Sequence, residues 1–255
     1  MKRISIILAA LMVAACNSGS NIANNIANNV ANNIDNTVAN NVDSNVVCDT
    51  DTKSALEKEL EMIGLQNVAD EIPGIEVYMV YATPYNFMGR VLYDDLDEAY
   101  LVPEAMQKLK KAHELLREKR LDLHLVVYDA ARPRSIQQQM WKVVENTELA
   151  CFVANPNVRG GGAHNYGVAV DVSLVDCTGH PIPMGSEYDY FGDRSRVDME
   201  DKLFKSGEIN RRELENRKLL REIMTEAGWI VEPSEWWHFS AMPISEARAK
   251  LTVIE

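Results

Sequence analysis

Gly160-Gly-Gly-Ala-His164-Asn-Tyr-Gly167-Val-Ala-Val-Asp171 places His164 and Asp171 seven residues apart. Glycines precede the histidine, and the apolar run Val168 to Val170 precedes the aspartate. A helix would hold the two side chains about 10 Å apart, too far to share one small ligand, and the glycines disfavour a helix there. The stretch therefore predicts a turn that folds back into a strand, with Gly167 supplying the bend. Two other segments carry matching residue types: Tyr128-Asp-Ala-Ala-Arg-Pro133 and Ser234-Glu-Trp-Trp-His-Phe239.

The flanking sequence supplies a framework. Leu121 to Tyr128 alternates as a strand and delivers Asp129 to Arg132 at its end. Ser135 is expected to cap a helix running to about Asn146. Upstream, Ser54 to Ile63 reads as a short helix closed by Gly64, and Glu76 to Ala82 as a strand with Val77, Met79 and Tyr81 alternating. Pro103 opens an amphipathic helix on which Ala105, Met106, Leu109, Ala112, Leu115 and Leu116 recur at helical spacing. Downstream, a loop with Pro181, Pro183, Gly185 and Gly192 leads to a long helix from Glu208 to Ala227, closed by Gly228. Short strands near Trp229 and Trp236 and a last helix from Ser245 complete the pattern. The expected class is α+β, one domain over residues 48–255 with a small antiparallel sheet flanked by helices. About 200 residues are enough to bury a full core.

The N-terminal part reads differently. Lys2 and Arg3 precede an apolar run from Ile4 to Met12, too short to span a bilayer, so residues 1–15 read as an export signal. Its ending, Val13-Ala-Ala-Cys16, resembles a bacterial lipobox and makes Cys16 the expected lipidated residue. Residues 16–47 are a near-repeat of Asn-Ile/Val-Ala/Asp-Asn, expected to be a flexible tether. The expected location is the cell envelope, lipid-anchored, at the outer membrane or in the periplasm if the cell is Gram-negative. Loss of the two charges Lys2 and Arg3 takes the formal charge from −12 to −14, which argues against a nucleic-acid partner. Cys48, Cys151 and Cys177 remain after Cys16. In an exported chain one disulfide is expected, between Cys151 and Cys177, which flank the central stretch.

The residue types point to a metal site. A catalytic zinc takes three protein ligands and leaves a fourth position for water, and His164, Asp171 and His238 fit that count. Glu235 stands three residues before His238, so a bend or bulge must let both serve one site. Glu235 then suits the role of proton acceptor from a zinc-bound water. Trp236 and Trp237 are expected in the core and the pocket wall. Arg132, at a strand end before Pro133, has two readings: a guanidinium that holds a developing oxyanion, or a structural ion pair with Asp129. His113 is expected to be solvated among lysines, His124 to lie on the far face of the sheet, and His180 to be exposed.

Residues 75 to 242 resemble the zinc D-alanyl-D-alanine dipeptidases of the vancomycin-resistance type. The likeness rests on Tyr81-Ala-Thr with Asn86-Phe87, Asp129-x-x-Arg-Pro133, His164-x-x-Gly-x-Ala-x-Asp171, Met184-Gly-Ser-x-Tyr-Asp189 and Glu235-Trp-Trp-His238. It implies one zinc on His164, Asp171 and His238, Glu235 as catalytic base and Arg132 stabilising the transition state. It also implies that Asp189 pairs with the free amino group of a dipeptide, with Tyr81 nearby. A fixed carboxylate recognises an ammonium by charge-assisted hydrogen bonding. In one departure, Gly162 stands where the family often has a serine, two residues before the first histidine.

The resulting expectation is an extracytoplasmic zinc dipeptidase for D-Ala-D-Ala or a close dipeptide, serving to scavenge wall fragments or nutrients. The alternatives are a D,D-carboxypeptidase acting on longer cell-wall peptides and a non-catalytic zinc module that binds wall fragments.

Overall fold

The computed structural model describes residues 53–158 and 160–255. The expected leader, the lipidated Cys16, the tether and Cys48 lie outside the described residues. Lys53 to Glu255 forms one compact unit. Among the described residues no helix is long and apolar enough to cross a membrane.

The centre is a pair of long strands, β4 (Leu123–Asp129) and β5 (Ala169–Asp176). They belong to a five-stranded sheet completed by β2 (Glu76–Val77), β6 (Ile230–Val231) and β7 (His238–Ser240), in the order β2-β4-β5-β7-β6. β2 runs parallel to β4 and the other pairings are antiparallel, so the expected antiparallel sheet gains one parallel edge. A separate antiparallel pair, β1 (Gln66–Asn67) and β3 (Tyr100–Leu101), stands beside it.

Strand periodicity divides the sheet into two faces. Leu123, Leu125 and Val127 of β4 share one face with Val170, Val172 and Leu174 of β5 and with Phe239 of β7, and all are buried in the main core. The long helices α3 (Pro103–Lys119) and α6 (Arg211–Glu226) pack against each other there. The opposite face carries Asp171 and His238, which are register partners. Between Val127 and Asp129 the β4 register shifts: Val127 faces Val172 and Asp129 faces Asp171. The extra residue, Tyr128, turns Asp129 away from the helix face, where an unbroken period of two would have put it.

Local capping explains most helix ends. Ser54 and Glu57 form a capping box on α1 (Ala55–Met62), and Gly64 follows in the left-handed region at φ +92°. A four-residue α2 (Val68–Glu71) is capped by Asn67. α4 (Arg134–Val144) starts after Pro133, so Ser135 lies inside the first turn and not at the expected cap. The helix expected from Glu208 starts at Arg211, because Asn210 and Glu213 form its capping box. The preceding residues make a separate helix, α5 (Glu200–Ser206), ended by Gly207 at φ +78°. The last helix is α7 (Ile244–Lys250).

Three further expectations are corrected. The strand expected over Glu76 to Ala82 ends at Val77, and Val80–Ala82 is a 3-10 turn that carries Tyr81 off the sheet edge. His113 is buried, because it lies four residues after Leu109 and seven after Met106, on the apolar stripe of α3. Cys151 and Cys177 are both free and exposed. Cys151 borders the cleft, whereas Cys177 follows the far end of the eight-residue strand β5. A strand of that length spans about 25 Å, whereas disulfide-bonded Cα atoms lie within about 7 Å of each other.

Candidate active site

The Gly-rich stretch folds as expected into a turn and a strand. Ala163–Tyr166 is a 3-10 turn that ends at Gly167 in the left-handed region, φ +65°. Its chain is pinned to the end of β4, since the Arg132 N–H donates to the His164 carbonyl at 3.0 Å. Asn165, fully buried, links three segments. Its Nδ2 donates to the Arg132 carbonyl at 2.8 Å, its Oδ1 accepts from Gly162 N at 2.9 Å, and its carbonyl accepts from Ile254 N at 2.8 Å.

Glu235 and His238 meet through a turn. The His238 N–H donates to the Glu235 carbonyl at 3.3 Å just before β7 begins. Trp237 is buried and lines the cleft, and the Trp236 indole N–H donates to Ser186 Oγ at 2.8 Å. The structure thus brings His164, Asp171 and His238 together with Glu235, Arg132, Asp189 and Tyr81 in one cleft of about 630 Å3.

His164 Nε2 lies 3.1 Å from His238 Nδ1 and 3.3 Å from Asp171 Oδ1, and His238 Nδ1 lies 3.0 Å from that same oxygen. Metal–ligand bonds of about 2.0–2.1 Å at tetrahedral angles put donor atoms ~3.3 Å apart. The three donors therefore fit one small divalent ion. The tautomers agree: His164 Nδ1 stands 2.6 Å from the Ala130 carbonyl, so Nδ1–H donates there and Nε2 presents a lone pair. His238 Nε2 faces Ser240 Oγ at 3.4 Å, leaving Nδ1 for the cluster. Tyr188 donates its hydroxyl to Asp171 Oδ2 at 3.0 Å and orients that carboxylate. Burial alone would raise Asp171, but the facing His164 and His238 hold its carboxyl well below the usual range.

The ion-pair reading of Arg132 is realised, and the same side chain lines the cleft. Its Nε and Nη2 donate to Asp129 Oδ2, the former at 2.8 Å, and Nη1 donates to Gln137 Oε1 at 2.8 Å. The same Nη2 lies 3.7 Å from Asp171 Oδ2, and the guanidinium carbon sits 5.0 Å from the Tyr81 ring centroid. Asp129 is in turn held by the Tyr93 hydroxyl at 2.8 Å. The ion pair fixes the guanidinium where it borders the cleft.

Two carboxyls in the cleft are displaced in the same direction. Withdrawal from solvent pushes Glu235 up to about 8, against the pull of His238. Burial pushes Asp189 up to about 7, against the hydrogen bond from Tyr81. Asp189 is also the non-glycine residue held at positive φ, 60°, among the described residues.

Sequence reasoning missed Tyr188, Tyr93, Gln137 and Asn165 as positioning residues. Tyr188 and Asn165 adjoin Asp189 and His164, and that adjacency was the available signal. Tyr93 and Gln137 reach Asp129 and Arg132 through tertiary contacts that no local spacing marks. Among the remaining histidines, His124 is half-buried with its ring 5.8 Å from that of His113, and His180 is exposed.

A His/Asp/His donor set open to a cleft, with a free glutamate and a fixed arginine beside it, defines the class of metallopeptidases. Residues 61–250 match the peptidase M15 family model, described as D-Ala-D-Ala dipeptidase. The chain belongs to that family. It is 30% identical over 175 residues to the D-alanyl-D-alanine dipeptidase of Escherichia coli K12, covering 69% of this chain and 83% of that protein. It is 27% identical over 195 residues to the D-alanyl-D-alanine dipeptidase of Enterococcus faecium, covering 69% and 91% respectively. A Synechocystis D-alanyl-D-alanine dipeptidase is 28% identical over 163 residues, 53% of this chain and 66% of that protein.

Proposed function

We propose that the chain hydrolyses D-Ala-D-Ala or a closely related dipeptide, with zinc held by His164, Asp171 and His238. The carrying observation is the convergence of these three donors, 3.0–3.3 Å apart, beside Glu235 and a second carboxylate, Asp189. Bound there, zinc would supply Lewis acidity and lower the pKa of a water ligand.

The chain's own residues divide the remaining work. Asp189 takes the substrate ammonium: its Oδ2 is withdrawn from solvent and has no partner, a deficit that a cationic donor would remove. Tyr81 holds the other oxygen at 2.9 Å and fixes the direction of the carboxylate. Glu235 accepts a proton from the attacking water and returns it to the leaving amine. A carboxyl tuned toward neutral pH suits both halves of that shuttle. Arg132, immobilised by Asp129 and Gln137, presents a fixed cation to the oxygen that gains charge. Trp237 walls the cleft and limits water.

A second reading, a D,D-carboxypeptidase for longer wall peptides, is favoured by one observation: a cleft of about 630 Å3 has room beyond a dipeptide. A dipeptide-release assay on the zinc-loaded full chain separates the two. Cleavage of D-Ala-D-Ala but not of a D-Ala-D-Ala-terminated pentapeptide supports the dipeptidase, and pentapeptide cleavage overturns it. Zinc binding with no cleavage of any dipeptide would leave a non-catalytic binding module.

The same reading places the enzyme outside the cytoplasm on a lipid at Cys16, with residues 16–47 as tether, and supports scavenging of wall fragments. The support is the Val13-Ala-Ala-Cys16 ending of an apolar leader. Recovery of unprocessed chain from the cytosol after cell fractionation would overturn it.

A further inference from the structure

We infer that Arg248 binds the free carboxylate of the dipeptide and makes an unblocked C terminus a requirement of this enzyme. The inference deepens the dipeptidase reading and rests on it. A dipeptide in neutral water carries an ammonium at one end and a carboxylate at the other. Asp189 answers the first charge, and Glu235, Arg132 and the donor cluster leave the second unanswered.

Two arginines line the cleft, Arg132 and Arg248. The guanidinium of Arg132 is already engaged on Asp129 and Gln137. Arg248 makes no salt bridge to any acid among the described residues. One terminal nitrogen, Nη2, donates to the Gly161 carbonyl at 2.7 Å, which anchors the head of the side chain at the rim. Nε is shielded from solvent without a partner among the described residues. A guanidinium held by one neutral carbonyl and left uncompensated in a cleft matches an incoming carboxylate, which accepts from two N–H groups at once.

Its place in the fold agrees. α7 packs against the 3-10 turn that carries His164, and Gly161 stands three residues before that histidine. Arg248 therefore lies on the His164 side of the donor cluster. Asp189 is tied instead to Tyr81, which follows the β2 edge strand. Arg248 and Asp189 both line the cleft that holds the cluster, and a dipeptide bridging them would carry its peptide bond past the three donors. The turn itself offers no side-chain hydroxyl for the carboxylate, because Gly162 has none. The space a Cβ would need there is filled by the Ala154 methyl at 2.8 Å.

The test compares D-Ala-D-Ala with its C-terminal amide, on zinc-loaded full-length wild type, Arg248→Gln and Arg248→Lys. In wild type the free acid is preferred on the order of 10- to 100-fold in kcat/KM, mostly through KM. Arg248→Gln is expected to abolish the preference by weakening the acid and leaving the amide unchanged, and Arg248→Lys to restore part of it. The same ratio is read without turnover by calorimetric binding of both compounds to Glu235→Gln and to the Glu235→Gln, Arg248→Gln double variant. The acid-to-amide ratio does not depend on the fraction of protein folded. An unchanged ratio in an active Arg248→Gln enzyme overturns the inference alone. Failure of wild type to bind or cut either compound overturns the dipeptidase reading with it.

Discussion

The Tyr81 hydroxyl donates to Asp189 Oδ1 at 2.9 Å, while Asp189 Oδ2 is left shielded and without a partner. One side of the carboxylate is thus fixed and the other is poised for a ligand. Since burial pushes this carboxyl up to about 7, it is protonated below that pH and charged above it. KM for D-Ala-D-Ala should therefore rise as pH falls through about 7. Asp189→Asn should raise KM on the order of 10- to 100-fold and flatten that limb. Profiles of kcat/KM between about pH 5 and 9 check both outcomes. A variant that keeps the wild-type limb would assign it to another group.

Glu235 approaches the donor cluster without belonging to it. Glu235→Gln keeps the shape and removes the proton acceptor, so kcat should fall about 10²- to 10⁴-fold. Bound zinc, measured by elemental analysis, should stay at the wild-type level. Metal loss in this variant would instead make Glu235 a ligand.

Gly162 has extended backbone geometry, φ −92° and ψ −178°, so any residue fits its dihedral angles. The obstacle is Ala154, 2.8 Å from the position of a Cβ. Gly162→Ser should cost about 1–3 kcal/mol by overpacking, and Ala154→Gly in the same chain should recover part of that. A double-mutant cycle of thermal unfolding reads the coupling directly. Additive effects would show that the two positions do not meet.

His113 faces His124, with ring centroids 5.8 Å apart, and Arg117 extends toward the same pocket. Burial, then these two neighbours, lower its pKa from 6.5 to about 4. The unfolded chain therefore takes up a proton that the folded chain refuses, and stability falls as pH drops from about 6.5 toward 4. One such group contributes a slope of at most about 1.4 kcal/mol per pH unit. His113→Phe should make denaturant unfolding less dependent on pH across that window. An identical slope would exclude His113 as its source.

The parts of the site that were legible in sequence share one property: their chemistry is carried by rare residue types held at short spacing. His164 and Asp171 flank a glycine that can turn, and Glu235 and His238 flank a turn that the chain makes just before β7. What remained hidden was set by tertiary placement. Arg132 offered two readings because an ion pair and a cleft position do not exclude each other. Arg248 and Gln137 sit on ordinary helices, and nothing in their local sequence marks them. His113 was misread because the lysines around it on α3 outweighed its place on the Met106, Leu109, Leu116 stripe. Cys151 and Cys177 flank the central stretch in sequence, yet both are free and exposed, because neighbouring positions along the chain do not fix proximity in space.

Ile254 sits between two site-bearing segments: its N–H donates to the Asn165 carbonyl, and its own carbonyl accepts from Arg134 N at 2.8 Å. The tail thus acts as a latch on the turn that carries His164, while the β4–β5 sheet is held together by contacts of its own. Two events that are usually measured as one should therefore come apart on heating. Release of the latch would remove one of the ties on the His164 turn and lower activity while the sheet is still intact, so the temperature of half-inactivation should fall below that of the circular-dichroism transition. For practical work, a fusion partner that pulls on Ile254 would cost activity before it cost yield.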